Sequence, residues 1–162
     1  MENFIQEKKI RIIKELIDSN NENKIIIARL FNVLKKEEKI QIENKIVEYL
    51  ESDKYELELI FKDLNIENKR KIINLYKKDL KFLCEVWEYT DYEIQINMFD
   101  AVLMEILDSK YCDNAVDFIK YTAEDVKDKK LTLELFRKIY EKDVWNLTKI
   151  WENFSDSMQV KY

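Results

Sequence analysis

Glycine, proline and histidine are all absent from this chain of 162 residues, and cysteine occurs only twice. Each absence excludes something. Without glycine there is no phosphate-cradling P-loop, no dinucleotide-binding GxGxxG turn and no nucleophile elbow. Without histidine there is no Ser-His-Asp triad, no imidazole metal ligand and no two-His-one-carboxylate iron site. Without glycine and proline, tight hairpin turns have only Asn, Asp, Ser and Thr to draw on, and these start helices as readily as they make turns. Cys84 and Cys112 read as reduced core thiols rather than a disulfide. The opening Met1-Glu2-Asn3-Phe4 is polar, and the longest apolar runs, such as Ile25–Ala28, are far short of a membrane span. The expectation is a cytoplasmic protein without direct contact to membrane.

What is present is a mixture of 38% charged and 46% hydrophobic residues, enough to bury a core despite the charge. Abundant Ile, Lys, Asn, Glu and Tyr are the skew of an A+T-rich coding sequence. The fold expected is all-α: about eight helices in antiparallel hairpins within a single domain, 1–162, with 155–162 frayed. Apolar residues at helical spacing place helices near 2–18 (Ile5, Ile12, Ile13, Leu16, Ile17), 22–34 (Ile26, Ile27, Leu30, Phe31, Leu34) and 37–51 (Ile42, Ile46, Val47, Leu50). Asp53 with Glu56 reads as a capping box for a helix ending near Asn65, and a fifth helix runs from there as far as Tyr89. Thr90 with Glu93 is the strongest capping box and opens a sixth helix with Phe99, Val102, Leu103 and Ile106 inward. Further helices are expected at 111–128 and from about 131 to 154.

A weak period of thirty residues underlies this order. Phe4, Glu7, Lys9 and Ile12 recur as Leu34, Glu37, Lys39 and Ile42, and again as Leu64, Glu67, Lys69 and Ile72. Phe31/Phe61 and Leu50/Leu80 share the offset, and Glu105–Ser109 echoes Glu15–Ser19 at three periods. Such a period suits stacked two-helix repeats. An irregular bundle and a short α-solenoid-like stack both remain open.

Charge is distributed unevenly. Residues 85–125 hold eleven acidic and two basic side chains, a net of −9, while the rest of the chain is +4. The same stretch holds Trp87, Tyr89, Tyr92, Phe99, Tyr111, Phe118 and Tyr121. Not all of these can enter a core while the carboxylates between them stay in water. Aromatic anchors within an acidic field are the composition of a surface that steers and holds a basic protein. The expected partner-binding residues are Glu85, Glu88, Tyr89, Asp91, Tyr92, Glu93, Asp100, Asp108, Asp113 and Asp117. The basic stretch Lys69–Lys81 reads as a solvated face, so direct nucleic-acid binding is not expected.

One catalytic pattern is left. Glu85/Glu88 and Glu105/Asp108 are carboxylate pairs at i, i+3 on neighbouring helices, and such pairs can hold Mg²⁺. E-x-x-E followed by E-x-x-D is similar to the metal motif of the all-α nucleoside-triphosphate pyrophosphohydrolases of the MazG and dimeric dUTPase kind. The resemblance implies these four residues as Mg²⁺ ligands. It covers only 85–108, and Cys84 stands where the family's doubled glutamate begins. The leading expectation is instead a non-catalytic protein with no catalytic residues, metal or cofactor. It would be a small acidic inhibitor, of the immunity or phage anti-defence type, engaging a nuclease or another basic nucleic-acid-binding protein. A helical-repeat adaptor, oligomerising through Trp145, Trp151 and Phe154, is the alternative.

Overall fold

The structure, a computed structural model, describes residues 2–20, 22–109 and 114–142, together with Thr148 and Trp151. Its described residues form ten α-helices and two 3₁₀ turns, and no strand is found among them. The chain divides into two compact units, Met1–Tyr76 and Lys77–Tyr162. The all-α expectation holds. Among the described residues no helix is long and apolar enough to cross a membrane.

The first unit comprises α1 (Glu2–Asp18), α2 (Lys24–Asn32), α3 (Lys36–Tyr49), α4 (Lys54–Ile60), a 3₁₀ turn (Phe61–Asp63) and α5 (Ile66–Leu75). Here α2 packs on α1 and α4, and α1 also packs on α3. The core is aliphatic with two phenylalanines: Ile13, Ile27, Phe31, Ile46, Leu50, Leu57, Ile60 and Phe61 are fully buried. Each such side chain contributes about 1.5–3 kcal/mol by leaving water.

The second unit comprises α6 (Leu80–Val86), a 3₁₀ turn (Trp87–Tyr89), α7 (Tyr92–Asp108), α8 (Asn114–Lys120), α9 (Glu124–Lys130) and α10 (Leu133–Lys142). Its core is aromatic. Phe118 lies 4.3 Å from Trp87 and 5.5 Å from Phe99 between ring centroids, and all three are buried. Helix α7 packs on α8 and α9, and α6 packs on α7 and α8. Trp151, half-buried, meets Phe136 edge-on at 6.0 Å. Trp145, Phe154 and residues 155–162 lie outside the described residues.

One corner motif recurs four times and explains how the chain turns without glycine. Its anchor is Phe31, Phe61, Trp87 or Ile119, each with no exposed surface. The amide three residues on donates back to the anchor's carbonyl: Leu34 to Phe31 at 3.0 Å, Leu64 to Phe61 at 3.2 Å, Thr90 to Trp87 and Thr122 to Ile119 at 3.1 Å. The next residue is extended: Lys35, Asn65, Asp91 and Ala123 have φ of −71, −69, −73 and −59° with ψ of 160, 166, 155 and 141°. A new helix then begins. Every dihedral of this route suits an L-residue with a side chain, so nothing in it needs glycine's left-handed freedom. Among the described residues positive φ is confined to Asn20, at 50°, and asparagine tolerates that region.

The corners account for part of the thirty-residue period and correct the rest. Phe31/Phe61, Leu34/Leu64, Lys39/Lys69 and Ile42/Ile72 occupy matching places, but later corners fall 26 and then 32 residues on. The first supposed copy fails, because residues 4–12 lie inside α1, where Ile12 is exposed and Ile13 takes the buried position. Ile26, expected inward, is also exposed. The long fifth helix is broken after Leu75, since Asp79 accepts from the Phe82 amide at 3.0 Å and starts α6. The expected 111–128 helix is interrupted at the Ile119 corner. Thr90 is not the N-cap of α7; its hydroxyl donates to the Trp87 carbonyl at 2.7 Å, and Asp91 takes the cap position. Asp53 likewise gives no capping bond, its carboxylate being engaged by Lys24 and Ser52. Asn65 does cap α5, accepting from Asn68 N at 2.9 Å.

Candidate functional site

The corners of the second unit are bolted to one another by polar groups buried with them. The Trp87 Nε1–H donates to the Thr122 hydroxyl at 2.8 Å, and that hydroxyl donates to the Phe118 carbonyl at 2.7 Å. Gln95 spans the same gap. Its Nε2 donates to the Trp87 carbonyl at 3.0 Å and its Oε1 accepts from the Ala123 amide at 2.8 Å. Buried polar groups are costly when unmet, so this complete set fixes corner 87–91 against corner 119–123.

What those corners expose follows from their register. Two residues before each anchor and two after it lie a helical turn apart on the solvent side. In the second unit these positions are Glu85 and Tyr89 around Trp87, then Asp117 and Tyr121 around Ile119. All four are exposed, the tyrosines at 43% and 40%. The half-buried Cys84 is pushed up to about 11 by burial first, then by the charges of Glu85 and Asp117. Each of these carboxylates has a tyrosine one turn further along its own segment. Glu88 is exposed beside Tyr89.

The other expected residues are distributed over α7 and its start. Asp91 is half-buried at the N-cap, while Tyr92, Glu93, Asp100 and Asp108 are exposed along the helix. Helix α9 neutralises part of this face. Lys130 pairs with Asp100 at 2.8 Å, and Lys129 donates to the Tyr92 hydroxyl at 2.7 Å while lying 5.3 Å from the Tyr92 ring centroid. The Tyr92 hydrogen bond holds the Lys129 ammonium above its ordinary 10.5. Asp113 lies outside the described residues, as does Tyr111. Glu85, Glu88, Tyr89 and Asp117 thus lie at the corners that follow α6 and α8, and Tyr92 and Asp100 of α7 are engaged by lysines of α9.

The sequence reading passed over Tyr121 as a site residue and gave no role to Lys129 and Lys130. A signal for Tyr121 existed: Glu85-x-x-x-Tyr89 and Asp117-x-x-x-Tyr121 repeat at an offset of 32, hidden from a search at thirty. The aromatics of 85–125 divide as their chemistry dictates. Trp87, Phe99 and Phe118 lie in the core, and Tyr89, Tyr92 and Tyr121 are exposed.

The carboxylates that the pyrophosphohydrolase resemblance implies are not brought together. Glu85 and Glu88 stand at the corner that follows α6, whereas Glu105 and Asp108 are exposed at the end of α7. Among the described residues no three Asp, Glu, Cys or His side chains group to hold a metal ion. Compared with protein-family models, curated proteins and solved structures, the chain matches none. The functional reading rests on the geometry of the chain itself.

Proposed function

We propose that this chain is a non-catalytic protein-binding module that engages a basic protein through the acidic, tyrosine-bearing surface of its second unit. The observation that carries the reading is the pair of corners at 85–89 and 117–121. There the carboxylates and tyrosines stand in solvent while the tryptophan and phenylalanines between them fill the core. Glu85, Glu88 and Asp117 have no ion-pair partner among the described residues, so their field is available to steer an incoming cationic surface. The partner class that suits such a field is a nucleic-acid-handling protein, whose basic groove accepts carboxylates in place of phosphates. An inhibitor of a nuclease is the form this takes. That last step is analogy by charge.

The test is charge reversal at residues that do not hold the fold. Glu85→Lys, Glu88→Lys and Asp117→Lys together leave helicity unchanged and abolish retrieval of the partner from the native host. Asp91 is left intact in this variant because it starts α7. The wild-type complex weakens steeply with salt, and the captured partner's nuclease activity falls when the chain is added. Equal retrieval by the reversed variant, with the same salt dependence, removes the proposal.

A further inference from the structure

The two acid–tyrosine pairs are equivalent positions of successive corners, so they form a two-rung ladder rather than a diffuse acidic patch. Glu85 and Tyr89 make one rung, and Asp117 and Tyr121 the other. The rungs stand on α6 and α8, helices in direct contact. Packed helices lie about 8–10 Å apart axis to axis, and the two corners, joined directly by the Trp87–Thr122 bond, are neighbours on that scale. The buried bonds from Trp87 to Thr122 and from Gln95 to Ala123 hold that spacing rigid.

Each rung offers a carboxylate and, one helical turn away, the face of a tyrosine ring. A guanidinium satisfies both at once, because its planar fork binds a carboxylate while its face stacks on an aromatic ring. An ammonium, a compact point charge, serves one or the other less fully. The chain's own cations already show that tyrosine rings of this unit accept positive charge. Lys120 Nζ lies 5.4 Å from the Tyr121 centroid, and Lys129 Nζ 5.3 Å from that of Tyr92. Tyr89 has no such cation among the described residues.

We infer that the α6–α8 corners bind a partner segment that carries arginines about 9–10 Å apart, one guanidinium to each rung. A polyproline II segment with arginine at every third residue meets the spacing. It rises about 3.1 Å per residue and returns to the same side after three. This inference rests on the function proposed above and narrows it from a basic partner to a spaced pair of arginines.

Two synthetic peptides of equal charge test it against the full chain at low salt. One has three arginines each separated by two prolines, the other three contiguous arginines followed by the same prolines. The spaced peptide is expected to bind about tenfold more tightly, with amide shifts confined to 85–89 and 117–121. Tyr89→Ala with Tyr121→Ala removes that advantage, Tyr89→Phe with Tyr121→Phe keeps most of it, and Glu85→Gln with Asp117→Asn abolishes binding. Lys120→Ala strengthens binding by vacating the Tyr121 ring. All these side chains are exposed, and an unchanged circular dichroism spectrum verifies each fold. Equal affinity for the two peptides, or indifference to the tyrosine-to-alanine changes, overturns the ladder. If both peptides then still bind and the Lys reversals abolish it, the broader acidic surface stands without it. Failure of both peptides to bind overturns the ladder as well, and retrieval of the host partner then judges the broader reading separately.

Discussion

The corner positions that carry Glu85/Tyr89 and Asp117/Tyr121 in the second unit carry Arg29/Val33 and Leu59/Asp63 in the first. The backbone is shared, with a fully buried anchor, a returning amide bond and an extended residue before the next helix. The surfaces differ in kind. In the first unit Val33 is 61% exposed, and Asp63 is drawn to Lys39 at 2.7 Å, so its charge is spent within the unit. In the second unit the equivalent side chains are tyrosines left facing water. The interior joints differ too. In the first unit the buried Glu43 carboxylate of α3 holds the 61–65 corner, accepting from Asn65 N at 2.6 Å and Asn68 Nδ2 at 3.0 Å. In the second unit a neutral amide, Gln95, instead joins the 87–91 corner to the 119–123 corner. The lesson is that one corner supports two unrelated surfaces, because its anchors face inward and its variable positions do not.

The anchors give the largest effect by which this equivalence stands or falls. Phe61→Ala and Trp87→Ala should each cost about 3–5 kcal/mol in urea unfolding, since both empty a fully buried site. A loss below about 1 kcal/mol for either would mean that its corner is not built on the anchor. Next come the joints. Gln95→Ala leaves the Ala123 amide without its acceptor and takes one donor from the Trp87 carbonyl, at about 1–3 kcal/mol, and should raise hydrogen exchange at Ala123. Glu43→Ala is expected to cost at least as much, because the group lost is charged and nearly fully buried.

A smaller effect separates the units by pH. Burial alone would raise Asp53, but the hydrogen bonds from Lys24 and Ser52, with the charge of Lys24, hold it below its ordinary 3.8. A depressed folded-state value contributes stability above pH 3.8 that is lost as pH falls through the lower folded value. Lys24 is raised above 10.5, chiefly by its hydrogen bond to Asp53, so its share is present below pH 10.5 and lost above it. Both side chains are roughly a quarter exposed, so Asp53→Asn should cost no more than about 1 kcal/mol at pH 7 and flatten both limbs. In the second unit, alkylation of Cys84 followed against pH in a Cys112→Ser background probes the charges of Glu85 and Asp117. Glu85→Gln with Asp117→Asn should move the thiol from about 11 part of the way to its ordinary 9.0, the remainder being burial. No movement would mean that burial alone raises it. The smallest effect expected is none. Mg²⁺ should leave the melting temperature unchanged, and a rise that Glu88→Gln removes would revive the pyrophosphohydrolase resemblance.

Much of the helical order was legible because its signals are local. Missing glycine and proline pointed to helices, and apolar spacing found α1, α2 and α3 within a residue or two. The breaks after Leu75 and around Tyr121–Ala123 were not legible. Tyr76-Lys77-Lys78-Asp79 contains no residue that forbids a helix, and the stop comes from Asp79 capping the next one. Thr90 looked like a cap but serves the 3₁₀ turn before it, because burial of Trp87 decides the register. The acidic character of 85–125 was plain in composition. The engagement of Tyr92 and Asp100 by α9 was not, since Lys129 and Lys130 reach them from 37 and 30 residues away.

The corner without glycine has a consequence for how this molecule can change. A turn that needs a left-handed residue dictates composition at its most exposed point, and substitution there costs stability. Here the outer places, exposed Val33, Tyr89 and Tyr121 and the half-buried Asp63, have no positive φ and carry three different chemistries. Mutational drift at these places is therefore nearly silent for folding and immediately visible to whatever docks. A lineage under pressure to follow a changing target could rewrite the outer positions one at a time and leave the anchors untouched.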